Sequence, residues 1–209
     1  MVQQLVLKDC ILQRKISILY LLYPGLLLLI NFKNESLITI CCLTIPLVGT
    51  MFSSSQEEKN NSEKVLNSLP FKRKEIVMAK YIFSSLLILI GIILGSMIGS
   101  IQLRYGISHM DVFIVWCTVL GGITGAVVYV SLALPLVFSI GHSKAKNIAP
   151  FIGGFLAFLS GSIVKNLWTN QANEWAFNFT VNIIFVAVLV LFYIVSMWLS
   201  ISLYKERDL

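Results

Sequence analysis

A chain of 209 residues that is 57% hydrophobic, only 12% charged and has a mean hydropathy of +0.84 is not an ordinary water-soluble domain, since such domains carry about 25% charged residues. Its net charge of +6 raises nucleic acid or an acidic membrane surface as partners, and the placement of the charges decides between them. Cys10, Cys41, Cys42 and Cys117 form no CxxC and no Cys/His cluster, so neither a zinc site nor a disulfide framework is indicated.

Residues 1–15 mix Val2, Leu5, Val6, Ile11 and Leu12 with Gln3, Lys8, Asp9 and Arg14. They read either as a short interfacial helix or as an early extension of the first span. Six apolar segments then approach the roughly 20 residues that cross a bilayer: Ile16–Phe32, Leu37–Ser54, Val77–Ile101, Val112–Ile140, Ile148–Val164 and Thr180–Tyr204. The alternating pattern of a membrane β-strand is absent. No small-residue cleavage site follows the first segment, which reads as a retained helix. The predicted fold is therefore all-α, a single polytopic membrane domain of six transmembrane helices.

Pro24, Pro46 and Pro135 fall within the first, second and fourth segments and predict bends. Gly91, Gly95 and Gly99 repeat at fourfold spacing in the third, Gly121 and Gly125 in the fourth, and Gly153, Ala157 and Gly161 in the fifth. Spacing by four returns small residues to one helix face, where backbones approach closely. These are packing seams, and the sequence allows packing within one chain or between two. The stretch 165–179, with Trp168, Trp175 and Phe177 among polar residues, predicts an external interfacial or re-entrant piece.

One polar island interrupts the first half: Gln56 to Tyr81, QEEKNNSEKVLNSLPFKRKEIVMAKY. Ser54 and Ser55 stand three residues before Glu57 and Glu58, a capping-box spacing. A helix Glu57–Leu69 is expected to follow, with Val65, Leu66 and Leu69 as its apolar patch, and Pro70 ends it. Lys72, Arg73 and Lys74 form a basic cluster before the third span. Such a helix either rests on lipid headgroups or docks in another protein's groove.

Placing the N-terminus in the cytoplasm puts thirteen Lys and Arg inside and leaves Lys33, Arg104 and Lys165 outside. That bias sets orientation, returns the C-terminus to the cytoplasm and removes any reason to invoke nucleic acid. No Asp, Glu, Lys, Arg or His is expected within the spans away from their ends, which argues against ion coupling through a buried carboxylate. Two histidines, His109 and His142, are too few for a metalloprotease site, and no GxSxG elbow or paired buried aspartates are found. The reading is not an enzyme.

The run EEKNNSEKVLNSLPFKRKEIVMAKY resembles the cytoplasmic segment of small bacterial ABC-2 type permeases, and VLKDCILQRK resembles the start of that family. Among the family are peptide-exporter permeases such as those for phenol-soluble modulins. The resemblance implies a type V exporter fold and a membrane-spanning permease subunit of an ATP-binding cassette exporter. It further implies a multi-pass place in the bacterial cytoplasmic membrane, separate ATPase subunits as partners, and a second permease copy or paralogue. ATP and magnesium would belong to the ATPase, with no cofactor bound here, because the chain has no GxxxxGK[ST] loop. Glu57, Glu58, Lys59, Asn60, Val65, Leu66, Leu69, Pro70, Lys72, Arg73 and Lys74 would form the ATPase-coupling interface within segment 55–76. The neutral, apolar interior suits an amphipathic peptide or lipid-like substrate. The alternative reading is a non-transporting immunity or sensor scaffold that binds a partner through the same island.

Overall fold

The computed structural model describes residues 2–31, 36–60, 72–105, 111–141, 145, 148–170 and 178–206. The described residues fold into six α-helices: α1 (Val2–Asn31), α2 (Ser36–Lys59), α3 (Arg73–Arg104), α4 (Val112–Ile140), α5 (Gly154–Asn170) and α6 (Phe179–Glu206). A π-helical turn, Ala149–Gly153, leads into α5. Five helices are long and apolar enough to cross a membrane: Ser36–Glu57, Arg73–Arg104, Val112–Ile140, Ala149–Thr169 and Thr180–Glu206. This is a multi-pass helical membrane protein.

Several elements are longer than hydropathy predicts. α1 has 30 residues in one uninterrupted run, about 45 Å at 1.5 Å per residue. Residues 2–15 therefore continue directly into the first apolar segment, and Leu5, Asp9 and Gln13 are buried at a spacing of four, which places them on one face. α2 passes through Ser53, Ser54 and Ser55 and ends at Lys59, so the helix start read at Ser54–Ser55 is not there. Ser53 and Ser54 are buried, and their hydroxyls lie within the bundle instead of opening a new helix. α4 ends at Gly141, whose φ of 86° lies in the left-handed region that glycine enters without a Cβ clash.

α4 is the central helix, packed against α2, α3, α5 and α6, while α1 lies against α2 and α3. The glycine seams are used inside the chain. A Cβ on Gly121 would lie 2.7 Å from the Gly161 carbonyl oxygen, and one on Gly125 would lie 2.7 Å from that of Ala157. α4 and α5 thus meet backbone to backbone, which a side chain on either helix would prevent. Gly153 faces the ring of Tyr129. Gly91, Gly95 and Gly99 of α3 face Cys42, Ile38 and Val115.

Pro46 and Pro135 shape contacts as well as backbone. Proline at position i has no N–H for the carbonyl at i−4. Pro46 thereby frees the carbonyl of Cys42, and the space for a Gly91 Cβ ends 3.0 Å from that oxygen. The Cys42 thiol in turn donates to the Gly91 carbonyl at 3.4 Å. Pro135 likewise frees the carbonyl of Ser131, which accepts a 2.7 Å hydrogen bond from Ser196 Oγ of α6. The acceptor that Pro135 frees is thus met by a donor on a neighbouring helix, as an apolar surrounding requires.

The outer faces of α5 and α6 are apolar and open. Phe151, Phe155 and Phe158 near or on α5, and Leu191, Val195 and Trp198 on α6, are exposed. Trp168 Nε1 donates to Asn182 Oδ1 at 3.1 Å and its ring packs against Phe185, tying the end of α5 to the start of α6. The predicted re-entrant piece falls partly here, and its residues 171–177 lie outside the described residues.

Candidate functional site

At the end of the bundle where α2 stops and α3 begins, four charged side chains close a ring. Lys8 Nζ is 2.6 Å from Glu57 Oε1, and Glu57 Oε2 is 2.9 Å from Lys80 Nζ. Lys80 Nζ is 3.2 Å from Asp9 Oδ2, and Asp9 Oδ1 is 3.5 Å from Lys8 Nζ. Charges alternate around the ring and sum to zero. α1 supplies Lys8 and Asp9, α2 supplies Glu57 and α3 supplies Lys80.

Burial is graded. Side-chain exposure is 2% for Asp9, 10% for Lys80, 18% for Glu57 and 32% for Lys8. Lys80 sits deepest among the cations and donates to Ser53 Oγ at 2.9 Å besides meeting both carboxylates. An ammonium has three N–H donors, so all three have a partner. Asp9 Oδ1 has no hydrogen-bond donor among the described residues and is held by charge. Unpaired, any of these groups would be costly here, whereas the neutral ring leaves each charge compensated.

Next to the ring, Gln13 Nε2 donates to the Gly49 carbonyl at 2.5 Å and Tyr20 OH donates to Gln13 Oε1 at 3.0 Å. α1 is thus pinned to α2 over about two turns, from Lys8–Glu57 to Gln13–Gly49. A second polar set fastens α3 to α6. Tyr81 OH shares hydrogen bonds of 2.7 and 2.8 Å with Ser196 and Ser200, and Tyr193 OH donates to the Tyr81 carbonyl at 2.7 Å. Arg73 donates to the carbonyls of Tyr204 and Lys205 at 3.1 and 3.0 Å, capping α6, where a cation meets the negative end of the helix dipole. The first turns of α3 therefore hold α1, α2 and α6 together.

The predicted coupling residues divide by position. Glu57, Glu58 and Lys59 are the last residues of α2, and Asn60 closes a turn through its N–H to the Gln56 carbonyl at 3.0 Å. Lys72 is extended and exposed, with Glu75 Oε2 accepting from its backbone N–H at 3.3 Å. Arg73 and Lys74 open α3, and Lys74 is exposed. Val65, Leu66, Leu69 and Pro70 lie outside the described residues. Glu57 faces inward, and the structure brings it together with Lys80 at the base of the island.

Sequence reasoning passed over Lys8, Asp9, Lys80 and Ser53 as a group, although a signal was present. Lys80 is the fourth residue of the predicted span Val77–Ile101 and lies about two turns inside the observed helix. An ionisable residue within a span points to a function or a partner. Counting it as a topology charge hid that partner. Among the described residues no His/Cys/Asp/Glu group has the arrangement to hold a metal ion. No curated protein and no solved structure matches the chain. A family model described as ABC-2 family transporter protein matches residues 4–205, and the chain therefore belongs to the ABC-2 family of transporter permeases.

Proposed function

We propose that this chain is the permease subunit of an exporter in the bacterial cytoplasmic membrane, driven by separate ATPase subunits that dock on segment 55–76. α1 is its sixth span, and both termini face the cytoplasm, as the Lys and Arg bias requires. A second permease subunit, a copy or a paralogue, completes the path. ATP and magnesium act on the ATPase, and the chain contributes the route across the bilayer.

The observation that carries this reading is the closed base of the island. Glu57 and Lys80, at its two ends, meet at 2.9 Å, so a partner that engages the island acts on two spans at once. Glu58, Lys59, Asn60, Lys72 and Lys74 offer charged and polar contacts beside it, with Val65, Leu66, Leu69 and Pro70 as the apolar core of the docking piece. Glu57 and Arg73 serve from behind, through partners within the chain. An interior whose described polar groups are largely hydroxyls, as at Tyr81, Ser131, Ser196 and Ser200, favours an amphipathic peptide or lipid-like cargo over an ion.

The test is co-purification. Tagged chain is isolated in mild detergent from its native host and the eluate is assayed for ATP hydrolysis. Activity should accompany the wild type and disappear with Leu66→Glu/Leu69→Glu. An eluate without ATPase, or one whose activity ignores that substitution, overturns the reading.

A further inference from the structure

We propose that the ring Lys8–Glu57–Lys80–Asp9 is a positioning device that makes the N-terminal half of α1 ride with the ends of α2 and α3, so that movement of the island reaches a third helix. The inference rests on the proposed docking of an ATPase on the island, but the fastening itself is a property of this chain.

Three features support it. First, the ring's contacts separate cleanly by helix: Lys8–Glu57 joins α1 to α2, Glu57–Lys80 joins α2 to α3, and Lys80–Asp9 joins α3 to α1. Each pair of the three helices has its own ion pair. Second, it stands where the island is attached, with Glu57 three residues before Asn60 and Lys80 eight residues after Lys72. A force on the island is applied next to the ring, before the longer apolar packing of α2 against α3. Third, the fastening is made of charge. Close packing such as the α4–α5 seam has one geometry, whereas an alternating ring can exchange partners or admit water at its partly exposed Lys8 corner, with side-chain exposure of 32%. An element that must move with its neighbours while side chains at the contact readjust is served by such a fastening. Gln13 and Tyr20 then set the register of α1 along α2.

The structure also indicates which substitution isolates the function. Removing Lys80 leaves two carboxylates facing one lysine and threatens the fold. Removing Lys8 and Asp9 together takes away one charge of each sign and leaves the Glu57–Lys80 pair, with Ser53, closing the base of the island. Lys8→Ala/Asp9→Ala therefore releases α1 while the docking segment keeps its support. Lys8→Arg/Asp9→Glu retains both charges and is the rescue.

The experiment measures the distance between spin labels on Cys10, which is exposed on α1, and on Ile82→Cys, exposed in the third turn of α3; Cys41, Cys42 and Cys117 are buried. The chain is studied in lipid nanodiscs alone, and in its ATPase complex both nucleotide-free and trapped with ATP and vanadate. The wild type should give one narrow distribution that keeps its position in all states. Lys8→Ala/Asp9→Ala should keep the bound ATPase yet broaden the distribution and make it shift between nucleotide states, and the rescue variant should restore the narrow form. A double-alanine variant as narrow and as constant as wild type overturns the proposal, and so does a wild-type distance that shifts on trapping. Absence of any co-purifying ATPase overturns the proposed function instead, and the ring is then judged on the nanodisc measurement, where unbroadened double alanine overturns it.

Discussion

The α4–α5 seam and the ring at the base of α1, α2 and α3 join helices by opposite means. At the seam, Gly121, Gly125, Ala157 and Gly161 present no side chain beyond a methyl, and carbonyl oxygens fill the space that larger residues would need. Its attraction is dispersion between close backbones, short in range and indifferent to salt. At the ring, long side chains reach across from three helices, and the attraction is between charges partly withdrawn from water. A seam of the first kind makes two helices one body. A ring of the second kind holds three helices together through contacts that water and salt can partly reach.

The sharpest way to break the comparison is Lys80→Met. It leaves both carboxylates short of a cation, and breaking a buried pair by removing one partner costs about 3–5 kcal/mol. Unfolding of the purified chain by SDS titration should show that loss. Adding Glu57→Gln should return most of it, since the remaining Lys8 and Asp9 are again balanced; a double variant as unstable as Lys80→Met would mean that packing, and not charge, holds this corner.

Gly121→Ala tests the other region. Its Cβ would lie 2.7 Å from a backbone oxygen that has no flexible end to move, so overpacking of about 1–3 kcal/mol is expected in the same titration. That deficit should be the same at low and high salt, while the stability difference between wild type and Lys8→Ala should shrink as salt rises, because the Lys8 corner is the part of the ring that ions reach. The smallest effect is expected from Arg73→Ala, which removes the cation at the C-terminus of α6 and should cost about 0.3–1 kcal/mol. Its signature is local: hydrogen exchange should quicken over Ser200–Glu206 and leave α2 unchanged.

Much of the helical layout was legible without coordinates. Val112–Ile140 was bounded in the sequence at the residues where α4 begins and ends, because an apolar run between Asp111 and Gly141 has clear edges. The island was harder. Ser54 and Ser55 carry the spacing of a helix start, yet α2 continues through them, since local hydrogen-bonding options lose to a helix already in progress with neighbours to pack against. Residues 2–15 were open between two readings, and the buried face of Leu5, Asp9 and Gln13 draws them into one helix with the first span.

What the sequence alone determined is whatever depends on local composition: membrane residence, the approximate helix positions, the spacing of small residues and the resemblance in the island to ABC-2 permeases. Hydropathy adds up along a stretch of chain, so it can be read along the chain. What only the tertiary structure decided is pairing. Lys8 and Glu57 are 49 residues apart, and nothing in either neighbourhood names the other. The same holds for Gly121 against Gly161, and for the Ser131 carbonyl that Pro135 frees and Ser196 takes. Residues that cannot remain unpaired in an apolar bundle announce that a partner exists, and only the packing of the helices says which one.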